Sequence, residues 1–221
     1  IGLGIPAEPL FRSRSITWAY RISTDYGLTW GAEIILITSD VKYYCLFKET
    51  TTAGVLRVCM YSNPGSGDPD IRQAFLHLES GELYNSDNAT LLGTSNVDKD
   101  NVDVLIATAT GFTTQRLLDV AITAIDDPLI LYCVFPNGTS AEYRIYDNGS
   151  IVTVATTTNM LLTYTPLGAS WIGTNKLILG RADITNDIIE IYDYASNTVS
   201  LHSTVITEAR GNLPIRNNRP I

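Results

Sequence analysis

Metal-ligating and redox side chains are scarce in this sequence. It has three cysteines, Cys45, Cys59 and Cys133, and two histidines, His77 and His202. An odd cysteine count without C-x-x-C spacing argues against a metal site and against a full disulfide framework. Each cysteine sits inside an apolar run, where a buried thiol is the default. A Cys45–Cys59 bridge across neighbouring strands is the one pairing left open. The two histidines are far apart and lie in strand-like runs, which does not suit zinc. No metal and no cofactor is therefore expected. No apolar run approaches the length of a membrane span, and the opening residues do not read as a signal peptide. Lysine is also sparse, at four against eleven arginines, and the formal net charge is -8. With no basic run, a nucleic-acid partner is not expected. Nor does a membrane partner follow.

What remains is a chain of 221 residues, 45% hydrophobic and 17% charged. That composition is globular and long enough for one substantial domain. Its basic charge is carried by arginine, whose planar fork pairs with carboxylates, sulfates and phosphates; that suits acidic sugars. The chain opens at Ile1 and not at Met, so a processed product or fragment is expected.

Residues 1–15 read as an extended lead-in. Strands are predicted at Ile16–Ile22, Ala32–Thr38, Val41–Lys48, Val55–Tyr61 and Ile71–Leu78, all rich in β-branched and aromatic residues. Residues 85–103 are polar and read as loop, and Thr113–Leu118 as the one stretch able to make a helical turn. Further strands are predicted at Val104–Thr108, Val120–Ile125, Leu129–Phe135, Ala141–Tyr146, Ile151–Ala155, Lys176–Gly180, Ile188–Tyr194 and Val199–Ile206. Asn137-Gly138 and Asn148-Gly149 are hairpin signals. They also head two of three N-x-S/T sequons, the third being Asn88-Ala89-Thr90. The class is all-β, with sandwich and propeller both compatible. Internal repetition favours the propeller. Arg21-Ile22-Ser23-Thr24-Asp25-Tyr26-Gly27 is echoed by Arg144-Ile145-Tyr146-Asp147-Asn148-Gly149, and more weakly around Gly81 and Asn197.

The organising stretch is Ser23-Thr24-Asp25-Tyr26-Gly27-Leu28-Thr29-Trp30. An aspartate two residues before a glycine is turn chemistry: the carboxylate accepts from backbone N–H groups ahead of it, and glycine supplies a positive φ. Trp30 is expected to return its ring toward the core.

This octapeptide resembles the Asp-box of the sialidase-type BNR repeats, with Ser23, Asp25, Gly27, Thr29 and Trp30 at the signature positions. In that family it sits at a hairpin turn between the outer strands of a propeller blade and is structural. Val55–Leu92 resembles a blade of the same family. So do Leu177-Ile178-Leu179-Gly180-Arg181, Glu190-Ile191-Tyr192-Asp193-Tyr194 and the closing Asn218-Arg219-Pro220. The resemblance extends to BNR proteins that group with sialidases and propeller polysaccharide lyases. It implies a β-propeller of about four to five blades, either a single domain over residues 1–221 or the C-terminal portion of a larger ring. A missing N-terminal segment or a homo-oligomer would then complete the ring.

The resemblance also implies an acidic glycan or polysaccharide as partner, met outside the cell or at a cell or virion surface. Sialidases use an arginine triad. Arg12 or Arg14 is placed like an early member and Arg181 like a late one, outside the full motif. No Tyr–Glu nucleophile pair is fixed by the sequence. Related lyases carry an Asp-x-His-Pro element where this chain has Ser62-Asn63-Pro64, without histidine. The ligand loops expected of a propeller mouth are the Arg12–Arg14 lead-in, the Ser62–Arg72 loop and the segment around Arg181. The substrate-binding residues are then Arg14, Arg72 and Arg181, with Tyr43 or Tyr44 stacking on a pyranose. No catalytic residue is assigned. Two function classes stand: a glycosidase or polysaccharide lyase acting on an acidic glycan, or a non-catalytic structural or receptor-binding propeller of an adhesin or phage tail.

Overall fold

The computed structural model describes residues 15–23, 25, 27–62, 70–107, 115–123, 127–137, 140–157, 169–173, 175–182, 187–196 and 198–205. They form sixteen strands, one short 3-10 turn and no α-helix. No helix among them is long and apolar enough to cross a membrane. The chain divides into two compact units, one reaching Ala107 and the other running from Thr108 to Pro220.

In the first unit, β1 (Ser15–Tyr20) pairs with β2 (Ile34–Glu49), which is followed by β3 (Val55–Ser62), β4 (Ile71–His77), β5 (Glu82–Tyr84) and β6 (Leu91–Gly93). Where two strands were expected at 32–38 and 41–48, one 16-residue strand runs through. Tyr43 is its pivot, opposite Ser15 of β1 and Ser62 of β3. The first half of β2 therefore pairs with β1 and the second half with β3.

The stretch expected to be loop at 85–103 is partly regular. It carries β6, then β7 (Val97–Asp98), parallel to Ile37–Thr38 of β2. A 3-10 turn follows at Lys99–Asn101, then β8 (Val104–Ile106) against the start of β4. Polar composition hid these pieces because two- and three-residue strands are fixed by tertiary pairing and not by propensity. Strand β3 is buried along almost its whole length, as a central strand covered on both faces must be. One face packs Tyr43, Cys45, Val58, Met60, Ala74 and Leu76 around Trp18.

In the second unit, β9 (Gln115–Ile122), β10 (Pro128–Asn137), β11 (Ser140–Asp147) and β12 (Ser150–Thr157) form one four-stranded antiparallel meander. A second is made by β13 (Ala169–Ile172), β14 (Lys176–Ala182), β15 (Asp187–Asp193) and β16 (Thr198–Val205). Of the stretch expected to make a helical turn at 113–118, the first part lies outside the described residues and residues 115–118 are instead the start of β9. Its Leu117, Leu118 and Val120 are buried, so the apolar run serves a sheet. The Asn148-Gly149 signal is a two-residue hairpin with positive φ at both residues, 43° and 89°, as a type I′ turn requires. The Asn137-Gly138 turn reaches beyond the described residues. In β11, Ala141, Tyr143 and Ile145 point to the core, while Glu142 and Arg144 alternate outward and pair at 2.6 Å.

Asp119 of β9 ties the two meanders together. Its Oδ2 accepts from Ser170 Oγ at 2.8 Å and from Trp171 N at 2.9 Å. Tyr194 adds a second tie, donating to Asp147 Oδ2 at 2.6 Å.

The three cysteines are buried and free. A Cys45–Cys59 bridge is ruled out by register: Cys45 lies opposite Met60 and Cys59 opposite Leu46. The two side chains therefore leave opposite faces of the sheet.

Candidate functional site

The tip between β1 and β2 is built by Asp25. Its Oδ1 accepts from Thr29 N at 2.8 Å and its Oδ2 from Thr29 Oγ1 at 2.5 Å. Ser23 Oγ donates to Asp25 Oδ1 at 2.8 Å and accepts from Gly27 N at 2.7 Å. The Thr29 hydroxyl, then its amide, then Ser23 hold the Asp25 carboxyl below the usual aspartate range. Gly27 sits at φ +89°, where a side chain would be strained.

Trp30 departs from expectation. Its ring lies over the turn, 3.6 Å from where a Cβ on Gly27 would be, and the residue is 40% exposed. The turn is tight enough that Trp30 caps it from outside and does not reach the core. Among the described residues of the tip, Ser23, Asp25 and Thr29 bond to one another and to the turn backbone.

A small, shallow cleft opens elsewhere in the first unit. It is lined by Tyr43 of β2, by Met60, Tyr61 and Ser62 at the end of β3, by Asp70 and Arg72 at the start of β4, and by Lys99. The local sequence explains the convergence. Parallel pairing of Val97–Asp98 with β2 delivers the 3-10 turn to the same end of the sheet. Asp98 caps that turn, accepting from Asp100 N at 2.9 Å, the preferred chemistry for a helical N-terminus. Lys99 follows directly and is buried. Arg72 Nη1 donates to Val102 O at 2.8 Å and so fastens the far end of the turn to β4.

The cations are closely associated with one carboxylate. Lys99 Nζ lies 2.6 Å from Asp100 Oδ1, and Arg72 Nη2 lies 3.5 Å from the same oxygen. Tyr43 is 1% exposed. Its hydroxyl is buried and has no hydrogen-bond partner among the described residues. Burial, then the neighbouring Cys45 and Asp98, push its pKa up. The phenol therefore keeps its proton at neutral pH. Tyr61 is braced from the side by Tyr44, with ring centroids 5.1 Å apart and planes 21° from parallel.

Of the residues expected to bind substrate, Arg72 lines the cleft, while Tyr44 does not line it and stacks on Tyr61. Arg14 lies outside the described residues. Arg181 lies in β14 of the other unit, and its side chain is not among those described. Reasoning from sequence missed Lys99 and Asp70 and assigned Tyr43 only a stacking role. The available signal was Val97-Asp98-Lys99-Asp100-Asn101, an apolar residue followed by an Asx cap and a charge. No group of three or more His, Cys, Asp or Glu among the described residues could hold a metal ion.

No protein-family model matches this chain, and no curated protein sequence matches it. Solved structures do. A polysaccharide lyase of family PL25, an ulvan lyase, superimposes with TM-score 0.57 at 12% identity, over 87% of this chain and 50% of the lyase. The same values hold for the PL25 ulvan lyase bound to -[GlcA(1-4)Rha3S]-. The chain thus spans about half the length of that lyase. At this identity the likeness is one of fold: an all-β architecture shared with a carbohydrate-active enzyme.

Proposed function

We propose that this chain is a carbohydrate-recognising module of the BNR type, with its meanders as blades of a sialidase-like propeller. Its ligand is an acidic polysaccharide met outside the cell or at a cell or virion surface. The observation that carries this reading is the cleft at the end of β3 and β4. There a buried phenol, two cations and a carboxylate come together in a fold shared with a polysaccharide lyase. Sugar sites use a few oriented polar groups of this kind for hydroxyls.

Recognition is favoured over catalysis. Tyr43 retains its proton, and the position at which related lyases carry histidine is Ser62-Asn63-Pro64 in this chain. The test is an array of sialosides, uronate polymers and -[GlcA(1-4)Rha3S]- oligosaccharides, followed by a turnover assay on each binder. Binding without turnover is the expected result. Turnover would make the chain a glycosidase or lyase. Binding to no sugar would leave a structural propeller, such as that of an adhesin or phage tail.

A further inference from the structure

We infer that the tip between β1 and β2 is a glycan contact in its own right, with Trp30 offering a ring face on which one pyranose of the polysaccharide stacks. The inference rests on the glycan reading above and adds a place, apart from the cleft, where the polymer touches the protein. Trp30 does not line that cleft.

Exposure sets this tryptophan apart. The chain has three. Trp18 and Trp171 are 2% and 5% exposed, while Trp30 is 40% exposed and Leu28 beside it 85%. A large apolar ring left in water on a folded surface calls for a partner more than a scattered aliphatic does. One side of the indole lies against the turn, where a Cβ on Gly27 would stand 3.6 Å from Trp30 Cζ2. The exposed area therefore belongs to the outward side and the rim of the ring.

The ring is also held in place before any ligand arrives. Asp25 takes the Thr29 amide and hydroxyl, and Ser23 takes the Gly27 amide. Leu28 N donates to Asp25 O at 3.3 Å and Gly31 N to Ile22 O at 2.9 Å. Backbone bonds thus fix the chain on both sides of Trp30. A tryptophan has only two side-chain torsions to order, so a ligand that stacks on it loses little affinity to ordering the protein.

The surroundings select a sugar. A pyranose presents flat C–H groups to a ring and hydroxyls around its edge. The Trp30 indole N–H has no acceptor among the described residues, so it can donate to such a hydroxyl. Arg21 and Glu33 stand exposed at the foot of the tip, 3.5 Å apart, and leave it without net charge. A protein partner is disfavoured by size: the exposed run from Gly27 to Glu33 is seven residues, against roughly 20–30 a side in a stable interface. An anionic lipid surface is disfavoured by charge, since Arg21 is offset by Glu33 and the chain carries a net -8.

The experiment titrates the -[GlcA(1-4)Rha3S]- oligosaccharide into the protein and follows tryptophan fluorescence under acrylamide quenching, with calorimetry on wild type, Trp30→Ala and Trp30→Tyr. Trp18 and Trp171 are buried, so quenching reports chiefly on Trp30. Saturating sugar should shield it. Trp30→Ala should bind about three- to tenfold more weakly, the loss of one ring contact. The deficit should be the same at low and high salt, because stacking is not a charge pairing. Trp30→Tyr keeps a ring and should bind nearly as well as wild type. The wild-type quenching needs no variant, so the inference can be refuted even if Trp30→Ala does not fold. Binding that leaves Trp30 as quenchable as before, or that Trp30→Ala retains in full, would overturn the inference and leave the glycan reading standing. Shielding of Trp30 by phosphatidylcholine vesicles and not by the oligosaccharide would overturn it in favour of a membrane contact. Wild type binding no oligosaccharide would overturn the glycan reading itself, and this inference with it.

Discussion

Asp119→Ala tests how the second unit holds its two meanders together. Asp119 is buried. Its Oδ2 is the acceptor for Ser170 Oγ at 2.8 Å and Trp171 N at 2.9 Å, and its Oδ1 accepts from Val120 N at 2.8 Å. Alanine leaves the Ser170 and Trp171 donors in the contact between β9 and β13 with no acceptor. Each buried donor left unmet costs about 1–3 kcal/mol, so the pair costs about 2–6 kcal/mol, with about 3–4 kcal/mol expected after partial access of water. A domain's whole stability is about 5–15 kcal/mol, so the effect is large. Urea unfolding should show a fall in midpoint with little change in slope. Ser170→Ala removes only one neutral donor and should cost about 1 kcal/mol. The double variant should then show a coupling of about 0.5–3 kcal/mol. An Asp119→Ala cost below about 1 kcal/mol would refute the reasoning and leave apolar packing and the Tyr194–Asp147 bond to join the sheets.

Asp87 accepts from the Thr90 hydroxyl and amide and from Ala89 N, and these bonds, the Thr90 hydroxyl first, lower its carboxyl to about 2 from the ordinary 3.8. A lowered pKa gives stability that is present above the ordinary value and is lost as pH falls through the folded one. The turn should therefore loosen between about pH 4 and pH 2, read from exchange of the Thr90 amide, and Asp87→Asn should remove that pH dependence. Gly81→Ala should cost about 1–2 kcal/mol by denaturation, because φ is +71° and a Cβ would meet Tyr20 Oη at 2.7 Å. Burial pushes the Cys59 and Cys133 thiols up to about 12. A thiol reagent should accordingly label none of Cys45, Cys59 and Cys133 until denaturant is added, and a reductant should leave the melting temperature unchanged.

The sequence by itself determined the all-β class, because alternation in stretches such as Ala141-Glu142-Tyr143-Arg144-Ile145 admits only a strand with one face inward. It also determined turns whose chemistry is local. Asp25 with Gly27, and Asn148 with Gly149, are closed by residues no more than four apart. Tertiary structure decided the rest. Trp30 lies over its own turn and not in the core, since its route inward depends on the tightness of the tip. The 16-residue length of β2 follows from two different partners meeting at Tyr43, which no window of its own sequence contains. The cleft joins residues 43, 60–62, 70, 72 and 99, brought together by a two-residue parallel pairing at Val97–Asp98 too short to show as a pattern. Arg72 was legible as a site residue but not its partners, because its bonds to Val102 and Asp100 cross about thirty residues of chain. Such partners are neighbours in space that sequence order does not reveal.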